Sequence, residues 1–136
     1  MAANGILGWT IDGTTGGLTA LTGSPYQPGV EVFGAAFDPS GKFFYASAGP
    51  AGGILGFTVD QNSGALTPVP GSPFSSSSFL AGPTVEPSGQ FLFAEDPKNQ
   101  AIIGFTIDSA TGALTPLGNP TAVGAQPISL TIVKAP

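Results

Sequence analysis

The 136-residue sequence has no cysteine, no histidine and no arginine. Without cysteine, disulfides, thiol nucleophiles and thiolate metal sites are excluded together. Without histidine, a nucleophilic serine lacks its usual base, and none of the three lysines (Lys42, Lys98, Lys134) sits near a serine in a helix to replace it. Those lysines stand against eight carboxylates, a net charge of −5, so the chain lacks the means to neutralise phosphates and nucleic-acid binding is excluded. Long apolar runs are missing too. Nothing approaches the roughly 20 residues needed to span a bilayer, and the opening MAANGILGWT has neither the basic segment nor the apolar core of a secretory signal. Charged residues are only 8% of the chain, and with abundant Thr, Ser and Gly this composition suits an extracellular or periplasmic protein.

What the chain does have is punctuation: 21 glycines and 14 prolines divide the apolar residues into short bounded runs, the pattern of an all-β protein rich in turns. The runs repeat. Gly5-Ile6-Leu7-Gly8-Trp9-Thr10-Ile11-Asp12 returns as Gly53-Ile54-Leu55-Gly56-Phe57-Thr58-Val59-Asp60 and as Ala101-Ile102-Ile103-Gly104-Phe105-Thr106-Ile107-Asp108, each 48 residues on. Gly16-Gly17-Leu18-Thr19 recurs at the same offset as Gly64-Ala65-Leu66-Thr67 and Gly112-Ala113-Leu114-Thr115, and the segment from Phe37 to Ala46 recurs from Val85 to Ala94. A fixed period of this length marks a solenoid or propeller.

Each copy reads as four short strands, labelled A to D from the inside of a propeller outward. Leu55, Phe57 and Val59 alternate with Ile54, Gly56 and Thr58, so one face of the sheet is bulky and the other small, as stacked sheets require. Asp38-Pro39-Ser40-Gly41 forms a tight turn between A and B, and Asp60 to Gly64 closes the C–D hairpin. Residues 1–22 then hold strands C and D of one blade, 34–69 and 80–117 are complete blades, and 127–133 form a last A strand. The expectation is a single partial domain of about 2.8 β-propeller blades.

These phrases resemble the lactonase-type β-propeller family, the seven-bladed group that includes bacterial 6-phosphogluconolactonase and YVTN-repeat surface proteins. The resemblance is carried by Gly104 to Asp108 with Thr111-Gly112-Ala113-Leu114-Thr115-Pro116, by Gly71-Ser72-Pro73-Phe74, and by Asp38-Pro39-Ser40-Gly41-Lys42-Phe43-Phe44-Tyr45. It implies a chain about two and a half times longer, of which this one looks like the C-terminal part, a gene reduced to that part, or a fragment or engineered excerpt, and it implies a lactone hydrolase as one functional reading. It also implies a polar site at the central channel that uses histidine, arginine and acidic residues. Because this chain has no His or Arg, no catalytic residue of the family carries over, and no cofactor or metal ligand is assigned.

Few residues compete for chemical roles. Asp60-Gln61-Asn62-Ser63-Gly64 looks like the start of a calcium loop, but its equivalents from Asp12 and Asp108 lose the middle ligand and no distal Glu follows, so these aspartates are read as turn-formers. Asp38 and Glu86 share one repeated turn position and read the same way. Glu95 and Asp96 end a B strand, on the rim expected to carry Glu31 as well; neighbours on a strand point to opposite faces. Tyr26, Phe33, Phe74 and Phe79 lie in inter-blade connections, the last two bracketing Ser75 to Ser78, and with Glu31, Glu95 and Asp96 they make a candidate rim surface.

A propeller protects its sheet edges by closing, which this length does not allow. The sequence therefore predicts a non-catalytic scaffold that joins copies of itself head to tail, Ile128-Leu130-Ile132 of one chain entering the sheet begun by Leu7-Trp9-Ile11 of the next. Two chains of 136 residues at 48 per blade give about six blades, so a dimer is expected, with a filament if the rotation does not close.

Overall fold

The computed structural model describes residues 5–74 and 79–133. Its strands follow the repeat. Copy one contributes the hairpin β1 (Trp9–Ile11) and β2 (Leu18–Ala20), and copy two the four-stranded sheet β3 (Ala35–Phe37), β4 (Phe43–Ser47), β5 (Ile54–Val59) and β6 (Leu66–Pro68), antiparallel and in chain order. Copy three repeats that sheet as β7 (Ala81–Val85), β8 (Phe91–Asp96), β9 (Ala101–Ile107) and β10 (Leu114–Pro116). Registers match as well as order: Phe44 pairs with Phe57, and Leu92 with Phe105. A 3-10 turn, Gly49–Ala51, joins B to C in the second blade.

The turns are built by local chemistry. In each C–D hairpin an aspartate carbonyl accepts from a glycine amide four residues on: Asp12 from Gly16 at 2.8 Å, Asp60 from Gly64 at 2.7 Å and Asp108 from Gly112 at 2.7 Å. Those glycines have φ of +72°, +70° and +74°, the left-handed region that penalises any side chain. At the A–B turn, Asp38 accepts from the Phe43 amide at 2.7 Å and from both the amide and the hydroxyl of Ser40, and Glu86 serves the third copy in the same manner through Phe91 and Ser88.

The core consists of two layers between blades. Strand β4 feeds both: Phe44 and Ala46 face the first hairpin with Leu55 and Phe57, while Phe43 and Tyr45 face the third blade with Leu92, Phe105, Ile107 and Leu114. The bulky faces of the second and third blades thus pack on the preceding copy, with the alternation read from Leu55, Phe57 and Val59. Tyr45 crosses the second layer to donate its hydroxyl proton to the Gly112 carbonyl at 2.9 Å, and burial holds its pKa above the usual phenol range.

The terminal strand expected over 127–133 does not form. Residues 123–133 join no strand; β11 (Thr121–Ala122) instead pairs with the outer edge of β9. The cause is the missing partner. An A strand takes its ladder from the B strand of its own blade, as β3 does from β4, and no B strand follows Val133 among the described residues. Strand C of the first copy, expected over 5–12, is shortened to the three residues of β1, which among the described strands pairs only with β2.

Candidate functional site

Strands β3 and β7 bring their starts together at the inner rim, where a side chain on Gly34 would meet the Gly82 backbone at 3.2 Å. The B strands end on the same rim, with Ala35 opposite Ala46 and Ala81 opposite Glu95. Ser47 and Glu95, 48 residues apart, therefore occupy one repeated position. Glu95 is only 2% exposed, and its carboxylate fills the space in which Gly82 has no side chain. Removal from water raises its pKa above the ordinary carboxylate value. The buried Ser47 hydroxyl has no hydrogen-bond partner among the described residues. The inner rim thus carries a buried carboxyl and a buried hydroxyl, two groups able to hold or move a proton.

The other candidate rim residues separate by role. Asp96 accepts from the Asn99 amide at 3.0 Å and the Asn99 side-chain amide at 2.8 Å, committing it to the B–C turn. Tyr26 packs edge-to-face on Phe57 with centroids 5.2 Å apart, and Phe74 lies against the layer between blades two and three. Both are packing residues: Ile6 and Ile54 bridge to them by backbone pairing and draw their rings inward. Phe33 is exposed and meets Phe79 edge-to-face at 5.2 Å, joining successive D–A connections. Glu31 lies in the loop beside Gly49. Ser75 to Ser78 lie outside the described residues. Sequence reading missed Ser47, Gly34 and Gly82, although the 48-residue offset that pairs Ser47 with Glu95 and Gly34 with Gly82 was a signal for them.

The aspartates of the C–D hairpins bind their own backbone. Oδ1 of Asp60 accepts from the Asn62 amide at 3.0 Å and the Ser63 amide at 2.7 Å, and Asp12 and Asp108 repeat the pattern. These bonds, led by the Ser63 amide for Asp60, lower the carboxyl pKa of all three. A lowered folded-state pKa stabilises the fold above the unfolded value near 3.8 and ceases to do so as pH falls through the folded value. Asp60→Asn is expected to flatten the pH dependence of the thermal midpoint below about pH 4, as acid melts of the two proteins would show. Among the described residues no three carboxylates converge on a cation position.

Both ends of the blade stack are open. Trp9, 49% exposed, holds the position at which Phe57 and Phe105 are 2% and 0% exposed, and Leu7, Ile11 and Leu18 share its face and its exposure. Among the described residues no strand lies on the inner side of β1, and a cavity of about 610 Å³ opens between the first hairpin and the second blade, lined by Ile6, Leu21, Tyr26, Phe37, Phe44 and Leu66 among others. In the next layer Phe43 and Tyr45 stand in the corresponding place. Phe37 is exposed there, whereas its equivalent Val85 is packed. No described helix is long and apolar enough to cross a membrane.

Residues 3–134 match the family described as lactonase, 7-bladed beta-propeller. The chain belongs to that family. Similar lactonase-type folds have been solved in a 6-phosphogluconolactonase candidate of Bacteroides fragilis (24% identity, TM-score 0.74) and in another of Bacteroides uniformis (21%, 0.82). Each is matched by 97% of this chain, which spans only 37% and 39% of their respective lengths. The periplasmic gluconolactonase PpgL of Pseudomonas aeruginosa is similar at 20% identity and a TM-score of 0.62, over 79% of this chain and 31% of that one. No curated protein matches. The lactonase blades here are therefore a section of a propeller, and at these identities the likeness establishes the fold.

Proposed function

We propose that the chain supplies blades and part of the inner rim to a propeller that hydrolyses sugar-acid lactones, with Glu95 as the general base. The observation that carries this reading is the buried Glu95 carboxyl at the inner rim, 2% exposed and raised in pKa by desolvation; family membership supports it. As the lactone carbonyl is attacked, Glu95 takes a proton from the attacking water, the carbonyl carbon gains a C–O bond, and the tetrahedral adduct expels the ring oxygen. The proton returned to that oxygen completes the open hydroxy acid. A base raised in pKa accepts the proton more readily, and activity falls as pH drops through its folded pKa. With no arginine in this stretch, an unphosphorylated lactone suits these blades better than a phosphorylated one.

The test is hydrolysis of glucono-δ-lactone followed at constant pH, with and without added divalent cation. Glu95→Gln is expected to lower kcat about 100-fold or more and to remove the acidic inflection, while Glu31→Gln leaves both unchanged. A Glu95→Gln protein as fast as its parent overturns the role of Glu95, and a parent chain without turnover overturns the hydrolase reading for this chain.

A second reading is a self-assembling scaffold, and the exposed stripe of Leu7, Trp9, Ile11 and Leu18 favours it. This is the bulky face that copies two and three bury against a preceding blade. The third blade of another copy offers Phe91, Phe93 and Ile102, the equivalents of Phe43, Tyr45 and Ile54. Packing the two faces continues the stack head to tail, as a dimer of about six blades or as a filament.

A further inference from the structure

We propose that the segment Ile128 to Val133 of a second copy lies as an added strand beside β1, filling the cavity between the first hairpin and the second blade. This rests on the self-assembly reading above. Three observations meet at one place.

The first is a vacant strand position with a known shape. In blades two and three the strand inside strand C is β4 or β8, and the aromatic side chains of β4 fill the layer between these blades: Phe43 lies where a side chain on Gly112 would have to go, and Tyr45 reaches the Gly112 carbonyl at 2.9 Å. In the first layer the position of Gly112 is held by Gly64, and there Leu21 has come in instead, within 2.5 Å of where a side chain on Gly64 would start. One leucine does not replace two aromatic rings, and a cavity of about 610 Å³ remains. The second observation is a free edge. Among the described strands β1 pairs only with β2, so its inner side has no ladder partner. Exposed edges of this kind recruit strands.

The third is an unpaired segment with a suitable pattern. Ile128, Leu130 and Ile132 alternate with Ser129, Thr131 and Val133, a period of two in which four of the six residues (Ile128, Thr131, Ile132 and Val133) are β-branched and so favour strands. In its own chain this segment joins no strand. Ile128 is 96% and Val133 80% exposed, and the bond from the Thr84 hydroxyl to the Leu130 carbonyl, 3.3 Å, ties it to β7. The whole second blade separates β7 from the cavity, so the donor is another copy. Head-to-tail stacking brings the end of that copy to β1, and the aliphatic side of the segment then enters the cavity while its amides complete the edge of β1.

Native mass spectrometry of the full chain across concentration, with hydrogen exchange of the β1 amides, tests this. The parent chain is expected to associate and to protect those amides as it does so. Ile128→Asp, at a site too exposed to affect folding of one chain, is expected to raise the dissociation constant at least about tenfold, a change of about 1.4 kcal/mol, and to abolish the protection. Trp9→Asp is expected to weaken association as well. If Ile128→Asp associates like the parent while Trp9→Asp does not, strand addition is overturned and face packing stands. If Ile128→Asp dissociates and Trp9→Asp does not, strand addition stands without face packing. A monomeric parent overturns both, and points to blades of a longer polypeptide as the natural occupant.

Discussion

Replacing Phe105 by alanine is expected to cost about 3–5 kcal/mol of stability, whereas the same change at Trp9, its equivalent 96 residues earlier, is expected to cost under about 1 kcal/mol. Phe105 has no exposed surface and lies among Leu92, Ile107 and Leu114 of its own blade, facing Phe43 and Tyr45 of the preceding one. Truncation there leaves a cavity in the one layer, among the described residues, in which two whole four-stranded sheets meet. Trp9 stands on the open face and is 49% exposed, so alanine removes little packing from a single chain. Urea melts of the two variants, at a concentration where the parent is monomeric, give the comparison. Equal losses would mean that Trp9 is already covered.

Gly112→Ala carries the second large effect. Glycines 16, 64 and 112 hold one turn position with nearly the same positive φ, so alanine pays a similar backbone penalty at each, about 1–2 kcal/mol. Their surroundings differ. A side chain at Gly16 meets nothing, one at Gly64 meets the end of the flexible Leu21, and one at Gly112 collides with the Phe43 ring. Phe43 is buried between two sheets and has nowhere to move, which adds about 1–3 kcal/mol of overpacking. The expected order of thermal midpoints is Gly16→Ala above Gly64→Ala above Gly112→Ala. A flat series would show that φ alone governs this position.

Both predictions depend on comparing copies of one repeat, which locates what was legible in the sequence. The 48-residue offset, the alternation of Leu55, Phe57 and Val59 with smaller residues, and the Asp-to-Gly turns are local patterns. Alternation follows from the pleat of a strand and turn chemistry from a few neighbouring dihedrals, so blade number, strand order and most strand positions could be read directly. The lactonase resemblance had the same source. The candidate site was less legible. Glu95 stood out as a carboxylate at a strand end, but its burial depends on the close approach of Gly82 and on the bulge in β7 between Ala81 and Thr84, and Ser47 gave no sign of its position until it was matched to Glu95. Tyr26 and Phe74 looked like rim aromatics because they lie in connections; Ile6 and Ile54 turn them into packing.

By itself, then, the sequence determined the repeat, the strands and which face of each strand is bulky, because these are set by residues close along the chain. Tertiary structure alone decided the fate of identical positions. Leu7, Trp9 and Ile11 have the pattern of Leu55, Phe57 and Val59, yet the first set is exposed and the second packed; Ile128 to Val133 has the pattern of a strand and forms none. The physical reason is that burial and strand pairing are properties of a neighbour. A strand becomes part of a sheet, and an apolar face part of a core, only where another strand or blade lies against it.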